Sequence, residues 1–183
     1  MLLEQQKQFL LELAEESIVS VFDKRELNLT VPEEEVFATK CGGFVTLNKN
    51  GNLRGCIGYI RAYKPLYITI TEMARAAAFE DPRFPSLEQV EMDEIDIEIS
   101  VLSELVSVTD FSKIEVGKHG LYVKNRFASG LLLPQVATEW RWDSSIFLEQ
   151  TCLKAGLNKN SWKKPETEVY KFTAEIFSNR QKK

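Results

Sequence analysis

Histidine is nearly absent from this chain of 183 residues, in which His119 is the single example. One histidine excludes metal sites built from several histidine ligands. The sequence has three cysteines, Cys41, Cys56 and Cys152, an odd number that does not indicate a framework of disulfide pairs. Their spacing along the chain, including the spacing to His119, matches no zinc signature. We therefore expect no metal and no cofactor, and the cysteine usage favours a reducing compartment.

Long apolar segments and a strong positive charge are also missing. No apolar run approaches the ~18 residues that span a bilayer, and the N-terminus does not resemble a signal peptide. The net charge is −4 and the pI is about 5.3. Without a basic field, nucleic-acid binding is disfavoured. The expectation is a cytoplasmic protein that binds neither membranes nor nucleic acids, and no CxxC, EF-hand, Walker or GxGxxG pattern assigns a function.

The pattern that is present predicts an α+β fold with mostly antiparallel sheets flanked by helices. Length and composition indicate one domain over residues 1–183, with two sub-lobes whose boundary the sequence does not give. Hydrophobic periodicity predicts helices over 2–22, 65–79, 135–140 and 143–155. Period-two alternation predicts strands over 36–39, 94–102, 121–123, 130–133 and 168–178.

A hairpin over residues 43–61 contains the most informative stretch, residues 53–58. A two-residue loop at Asn50 and Gly51 is the first alternative. A three-residue loop is favoured, because it pairs Leu47 with Leu53 and keeps one face apolar. The predicted core face then consists of Val45, Leu47, Leu53 and Ile57.

The opposite face of the second strand carries Arg54, Cys56 and Gly58, a combination that a core strand does not need. Cys56 is a candidate nucleophile, and Arg54 is a candidate anion clamp that would favour the thiolate. Gly55 and Gly58 are candidate positions where a substrate approaches the backbone. The alternative for all four is structural, with Cys56 a small buried residue between packing glycines.

Three residues elsewhere complete the candidate site. His119 lies between glycine-containing turns and is the only candidate general base of ordinary pKa, or else a turn residue. Glu139 would orient the histidine or act as an acid, or else is a solvated helix carboxylate. Gln135 would donate to a bound carbonyl, or else caps its helix. Asp81 and Arg83 are expected to form a structural ion pair.

Residues 53–58, Leu-Arg-Gly-Cys-Ile-Gly, resemble the signature of the AMMECR domain family. Further stretches resemble the family pattern in the right order, at residues 77–84, 117–120, 132–137, 142–143, 152–157 and 162. The resemblance covers nearly the whole chain. A short, free-standing domain of this kind is similar to the prokaryotic form of the family, which is part of the AmmeMemoRadiSam set.

This resemblance implies an α+β fold in two unequal lobes with a cleft between them. It also implies functional association with a Memo-like protein and a radical SAM protein, and it brings no settled activity. Two hypotheses of different class follow. The first is an enzyme, or enzyme component, that binds a small anionic or carbonyl-containing substrate in the cleft, with Cys56 as thiolate. The second is a non-catalytic module that docks the Memo-like or the radical SAM partner.

Overall fold

A computed structural model describes residues 1–179. The fold is α+β, with two antiparallel four-stranded sheets flanked by helices, so the predicted fold class is confirmed. The α-helices are α1 (Glu4–Phe22), α2 (Glu35–Ala38), α3 (Leu66–Phe79), α4 (Pro134–Glu139) and α5 (Ser144–Lys154). The strands are β1 (Gly42–Lys49), β2 (Asn52–Tyr59), β3 (Ile95–Leu102), β4 (Val106–Ser107), β5 (Gly120–Lys124), β6 (Ser129–Leu132), β7 (Glu168–Phe172) and β8 (Ala174–Ser178). Short 3-10 turns occupy Gln89–Glu94, Phe111–Lys113 and Ser161–Lys163.

The chain divides into two compact units. The first comprises Met1–Leu102 and the segment that begins at Glu175, and the second comprises Ser103–Ala174. The sheet of the first unit has the strand order β2-β1-β3-β8, and that of the second has the order β4-β7-β5-β6. Each unit has a hydrophobic core of its own.

The predicted single strand over 168–178 is wrong, because the chain changes sheets in the middle of it. β7 belongs to the second unit's sheet and β8 to the first unit's sheet. Thr173, between them, exchanges two hydrogen bonds of 2.9 Å with Ser103, whose amide donates to the Thr173 carbonyl while its hydroxyl accepts from the Thr173 amide. This pair holds the chain where the alternating pattern continues but the sheet does not.

The first unit buries one face of its sheet beneath α1 and α3. The apolar stripes of both helices supply fully buried side chains, among them Leu10, Leu13, Ile18, Leu66 and Ile70. The predicted helices over 2–22 and 65–79 are confirmed. β3 contributes Ile95, Ile97 and Ile99 to the same core, as its alternation predicts.

Residues 36–39, predicted as a strand, instead contribute to the one-turn helix α2. β-propensity alone does not make a strand when no neighbouring strand is available for pairing. The turn is closed by the Thr39 hydroxyl, which donates to the Glu35 carbonyl at 2.8 Å. Phe37 is fully buried, and its ring packs against Phe9 at a centroid distance of 4.8 Å.

The hairpin uses a register that differs from both predicted alternatives. Asn50 and Gly51 have φ of 52° and 81°, as a two-residue type I′ turn requires. The register then shifts beyond Asn48, so that Leu47 pairs with Gly55 and Arg54 is the extra residue of a bulge. Val45, Leu47 and Ile57 lie on the core side as predicted, whereas Leu53 is 42% exposed and its assignment to the core is wrong.

In the second unit, β5 and β6 pair as the predicted antiparallel strands. The Asp143 carboxylate caps α5 by accepting from the Ile146 amide at 2.8 Å, and Gly156 ends the helical region with φ of 73°. The buried face of α5 differs in part from the prediction. Phe147 and Cys152 are buried, but Ile146 and Leu153 are exposed. Among residues 1–179, no helix has the length and apolar character needed to cross a membrane.

Candidate functional site

Cys56 lies on β2, which is an edge strand of the first sheet. It pairs across the sheet with Thr46, and both are on the face opposite Val45 and Ile57. The Thr46 hydroxyl donates to the Cys56 Sγ at 3.2 Å. Cys56 is partly exposed, so its thiol can contact both a polar protein neighbour and a ligand from solvent.

The outer edge of β2 is covered at Cys56 by an Asp81–Arg83 pair. The Cys56 amide donates to Asp81 Oδ2 at 2.9 Å, and Arg83 Nη2 donates to the Cys56 carbonyl at 3.2 Å. The pair thus supplies one acceptor and one donor where a further strand would supply a backbone carbonyl and amide. Such covering protects an edge strand from pairing with another chain. The predicted ion pair is confirmed, with 2.6 Å between Arg83 Nη2 and Asp81 Oδ2.

Asp81 and Arg83 stabilise each other's charged forms. The Arg83 guanidinium holds the pKa of the buried Asp81 carboxyl well below its usual range, against the opposing effect of burial. In return, the Asp81 carboxylate raises the pKa of Arg83, and the nearby Cys56 side chain acts in the same direction. The Arg83 side chain is 53% exposed, so it is a fixed cation that contacts Cys56 and still faces solvent.

Arg54 makes a different set of contacts from the predicted clamp. Its side chain is only 12% exposed, and its guanidinium forms a two-point pair with Glu91, with Nε to Oε1 at 3.1 Å and Nη2 to Oε2 at 2.9 Å. Further donation reaches the carbonyls of Pro85 and Ser86, at 2.9 and 3.3 Å. Arg54 thereby fastens the segment that follows Asp81 to β2, and this favours the structural alternative for it.

The same Glu91 carboxylate also accepts from Lys49 at 3.1 Å. Arg54, followed by the Glu88 amide, lowers the pKa of Glu91 to about 2. Glu91 is therefore the anionic centre of a polar cluster that joins both strands of the hairpin to the turn at Gln89–Glu94.

Other parts of the protein pack directly against Gly55 and Gly58 and leave no room for a side chain. A Cβ at Gly55 would overlap the Ala77 carbonyl oxygen of α3, and a Cβ at Gly58 would overlap the Phe44 ring and the Gly43 carbonyl oxygen. Close approach of helix and strand explains Gly55, and ring packing explains Gly58. Their predicted role in admitting a substrate stays a prediction, and the contacts favour packing.

His119 belongs to the second unit, and it is 6% exposed. Its Nδ1 accepts from the Glu115 amide at 2.9 Å, and its own amide donates to the Glu115 carbonyl at 2.9 Å. Burial, followed by the Lys171 charge, lowers the pKa of the imidazole. A neutral ring that accepts at Nδ1 carries its proton on Nε2, so it presents a donor rather than a base.

The remaining two candidates lie on α4. Glu139 is exposed at the last residue of the helix. Gln135 Oε1 is buried and accepts no hydrogen bond from the described residues. Trp162 Nε1 is also buried and finds no acceptor among them. An unsatisfied buried amide oxygen is uncommon in folded proteins. Because Oε1 is an acceptor, it does not support donation to a bound carbonyl, and that role of Gln135 stays a prediction.

The structure therefore assembles Cys56, Thr46, Asp81 and Arg83, which we call the Cys56 corner. Sequence reasoning did not give Arg83 or Thr46 a functional role. The position of Thr46 beside Cys56 could have been predicted from the hairpin pairing. The position of Arg83 could not, because it depends on how the segment after α3 folds back onto β2. His119, Glu139 and Gln135 belong to the second unit, and the Cys56–His119 dyad stays a prediction. Residues 1–179 contain no group of three or more His, Cys, Asp or Glu side chains able to hold a metal ion.

Comparison with known proteins places the chain in a family. Residues 11–177 match the family model described as AMMECR1. A protein of Methanothermobacter thermautotrophicus is 51% identical over 158 residues, covering 82% of each chain. Protein MK0488 of Methanopyrus kandleri is 42% identical over 183 residues, which cover 95% of this chain and 88% of the relative.

A solved structure agrees with these matches. The crystal structure of the uncharacterized protein PH0010 from Pyrococcus horikoshii superimposes with a TM-score of 0.85 at 40% identity. The match covers 93% of this chain and 89% of that one. Since the family model spans most of the sequence and the relatives exceed 40% identity over most of their own length, the chain belongs to the AMMECR1 family.

Proposed function

We propose that this protein is an enzyme, or an enzyme component, that binds a small anionic or carbonyl-containing substrate at the Cys56 corner. The observation that supports it is the half-exposed Arg83 side chain, fixed by buried Asp81 and in contact with the carbonyl of the partly exposed Cys56. A cation held in this way attracts a carboxylate or an oxyanion. In this proposal Arg83, rather than Arg54, is the anion clamp.

The chemistry available to the corner is nucleophilic addition. The Cys56 sulfur forms a bond to a carbonyl carbon, the carbonyl π bond breaks, and the thiol proton ends on the carbonyl oxygen as a hydroxyl. Arg83 stabilises negative charge on the substrate or on that oxygen during the addition. The Thr46 hydroxyl donates to the sulfur in the resting protein and restrains its position.

Thiol alkylation tests the accessibility on which the proposal depends. With iodoacetamide at neutral pH, Cys56 is expected to react before the other two cysteines. Burial raises the pKa of both Cys41 and Cys152, which lowers their reactive thiolate fraction. Mass spectrometry of digested protein gives the order of modification. Earlier labelling of Cys41 would contradict the proposal.

Two arginine variants then identify the clamp. Glyoxylate, which carries a carboxylate and an aldehyde, is expected to protect Cys56 from alkylation in the native protein, whereas acetaldehyde protects it less. Arg83→Gln is expected to abolish the difference between the two probes. The matched variant Arg54→Gln should keep that difference while lowering the melting temperature, because its partners are Glu91 and two backbone carbonyls. The reverse result would assign the clamp to Arg54 and overturn the role of Arg83.

The second candidate function is a non-catalytic module that docks a Memo-like or radical SAM protein. It is favoured by Trp140, which is 68% exposed and stacks on Trp142 at 6.1 Å. Exposed tryptophans are frequent anchors of protein interfaces. In a pull-down with each partner, Trp140→Ala should lose binding, while Phe127→Ala, which removes another highly exposed aromatic ring, should retain it. Equal retention by both variants would remove the support that Trp140 gives to this function.

A further inference from the structure

A second concave surface lies in the first unit, at the segment that leads into α2. It is a groove of about 480 Å³ with an apolar lining from Val31, Pro32, Phe37, Ala38 and Tyr67. We call it the α2 groove. Its volume falls in the range of small-molecule sites, roughly 300–1,000 Å³. It contains none of the residues of the Cys56 corner, so the proposed function leaves it unexplained.

The polar part of the lining has a single sign of charge. Three consecutive carboxylates, Glu33, Glu34 and Glu35, complete the α2 groove and are exposed. Glu34 Oε2 accepts from Gln6 Nε2 at 2.6 Å, which fixes its position without neutralising it. Within residues 1–179, no lysine or arginine forms an ion pair with any of the three. An apolar groove is thus bordered by negative charge that the described part of the protein does not balance.

One aromatic side chain makes the lining suitable for a cation. Tyr67, on the first turn of α3, is partly exposed, whereas Phe37 is only 1% exposed and contributes apolar wall rather than a free ring face. The face of an aromatic ring attracts an ammonium or guanidinium group, most strongly where water is displaced. Carboxylates add charge-assisted hydrogen bonds to the same group. A ring face and carboxylates around one groove complement a ligand that is both apolar and positively charged.

We propose that the α2 groove binds a small organic cation, an ammonium or guanidinium group carried on an apolar body. The apolar part lies against Val31, Pro32 and the Tyr67 ring, and the cationic group faces the carboxylates. The helix-terminus position of Glu35 is favourable by itself, but it accounts for neither the adjacent Glu33 nor the concave apolar lining. A free small molecule suits the groove volume better than a protein partner, whose stable interfaces bury at least about 1,000 Å².

The test uses 2-phenylethylammonium chloride as the probe and 2-phenylethanol as its uncharged counterpart. Titration of the full-length protein is followed by amide chemical shifts in two-dimensional NMR. Saturable shifts are expected at residues 31–38 and around Tyr67 for the amine, with at least about tenfold weaker binding for the alcohol. Added salt should weaken the binding of the amine but not that of the alcohol, since salt screens the attraction between the ammonium group and the exposed carboxylates.

Two triple variants with equal change in net charge provide the control. Replacing Glu33, Glu34 and Glu35 by Gln keeps the groove shape and is expected to weaken binding of the amine about tenfold. An exposed ion pair changes an affinity by up to about fivefold, so three partial contributions account for this loss. Replacing the exposed Glu15, Glu26 and Glu104 by Gln should leave its affinity within about twofold, provided that circular dichroism shows both variants folded.

Three outcomes of these amine and alcohol titrations would overturn the proposal. They are equal binding of amine and alcohol, equal weakening by the two triple variants, and shifts that map outside the α2 groove. A lysine-rich peptide that binds the groove when the amine does not would also overturn it, in favour of a protein partner. None of these outcomes bears on Cys56, so the proposed function is tested separately.

Discussion

Gly55 is the residue at which the packing of β2 against α3 leaves no room for a side chain. Because the obstructing atom is the backbone carbonyl oxygen of Ala77, it cannot rotate away. Gly55→Ala is therefore expected to lower the free energy of unfolding by roughly 1–3 kcal/mol or more. Urea denaturation measures the loss. The matched variant Gly43→Ala, whose Cβ would have its nearest neighbours at 3.4 Å, should cost less, and equal losses would contradict the packing explanation.

His119 allows a direct check of its protonation. Since Nδ1 accepts from the Glu115 amide and burial lowers the pKa, we expect the neutral Nε2–H tautomer at neutral pH. Nitrogen chemical shifts of the imidazole distinguish the tautomers, and a pH titration gives a pKa below the ordinary 6.5. A ring protonated on Nδ1, or a raised pKa, would restore the general-base role that the sequence suggests.

At the scale of single residues, the sequence predicted the polar face of β2 but not the partners of that face. Alternation is local, so it places Cys56 and Thr46 opposite the core. The contacts of Arg54 and Arg83 depend on how the segment after α3 returns to β2, about thirty residues later in the chain. Arg54 therefore makes structural contacts in place of the predicted clamp, while Arg83 forms the predicted ion pair with Asp81 and also contacts the Cys56 carbonyl.

At the scale of elements, the cluster around Glu91 links the hairpin to the Gln89–Glu94 turn and makes that link sensitive to acid. The pKa of Glu91 in the folded protein is about 2, lowered first by Arg54, against a usual value of 4.5. A depressed folded pKa contributes stability that is complete above the usual value and is lost as the pH falls towards 2. The contribution is at most about 3–4 kcal/mol, from a pKa lowered from 4.5 to about 2 at ~1.4 kcal/mol for each pKa unit.

Urea unfolding at a series of pH values tests this link. Glu91→Gln is expected to be less stable than the native protein at neutral pH, and the difference should shrink as the pH falls from about 4.5 to 2. Glu80→Gln, which changes an exposed carboxylate, should run parallel to the native protein. The pKa of the Asp81 carboxyl is also lowered, so every variant keeps some sensitivity of its stability to acid. A difference that does not change with pH would show that Glu91 acts through packing alone.

Elements with strong periodicity and recognisable ends were predictable. α1, α3 and α5 have apolar stripes or capping residues that act within a few positions. The type I′ turn at Asn50 and Gly51 corresponds to the two-residue alternative, and the favoured three-residue loop is wrong. The bulge at Arg54 and the change of sheet at Thr173 were not predictable, because each is decided by partners distant in sequence.

At the scale of the whole molecule, the chain contains two hydrophobic cores, one in each unit. The sequence suggested two sub-lobes without a boundary, since hydrophobic patterning does not say which strands share a sheet. The three tryptophans, Trp140, Trp142 and Trp162, all lie in the second unit. The two longest helices, α1 and α3, lie in the first. Two optical signals therefore report on different units.

This distribution allows a test of whether each core stabilises its own unit. Phe147 is fully buried in the second core, and Phe147→Ala is expected to cost about 3–5 kcal/mol there. Tryptophan fluorescence should then change at a lower urea concentration than far-ultraviolet circular dichroism, to which α1 and α3 contribute most. Leu47→Ala, in the first core, should shift the circular dichroism transition more than the fluorescence. Coincident transitions in both variants would mean that the two units unfold as one, since a loss in either core would then destabilise the whole chain equally.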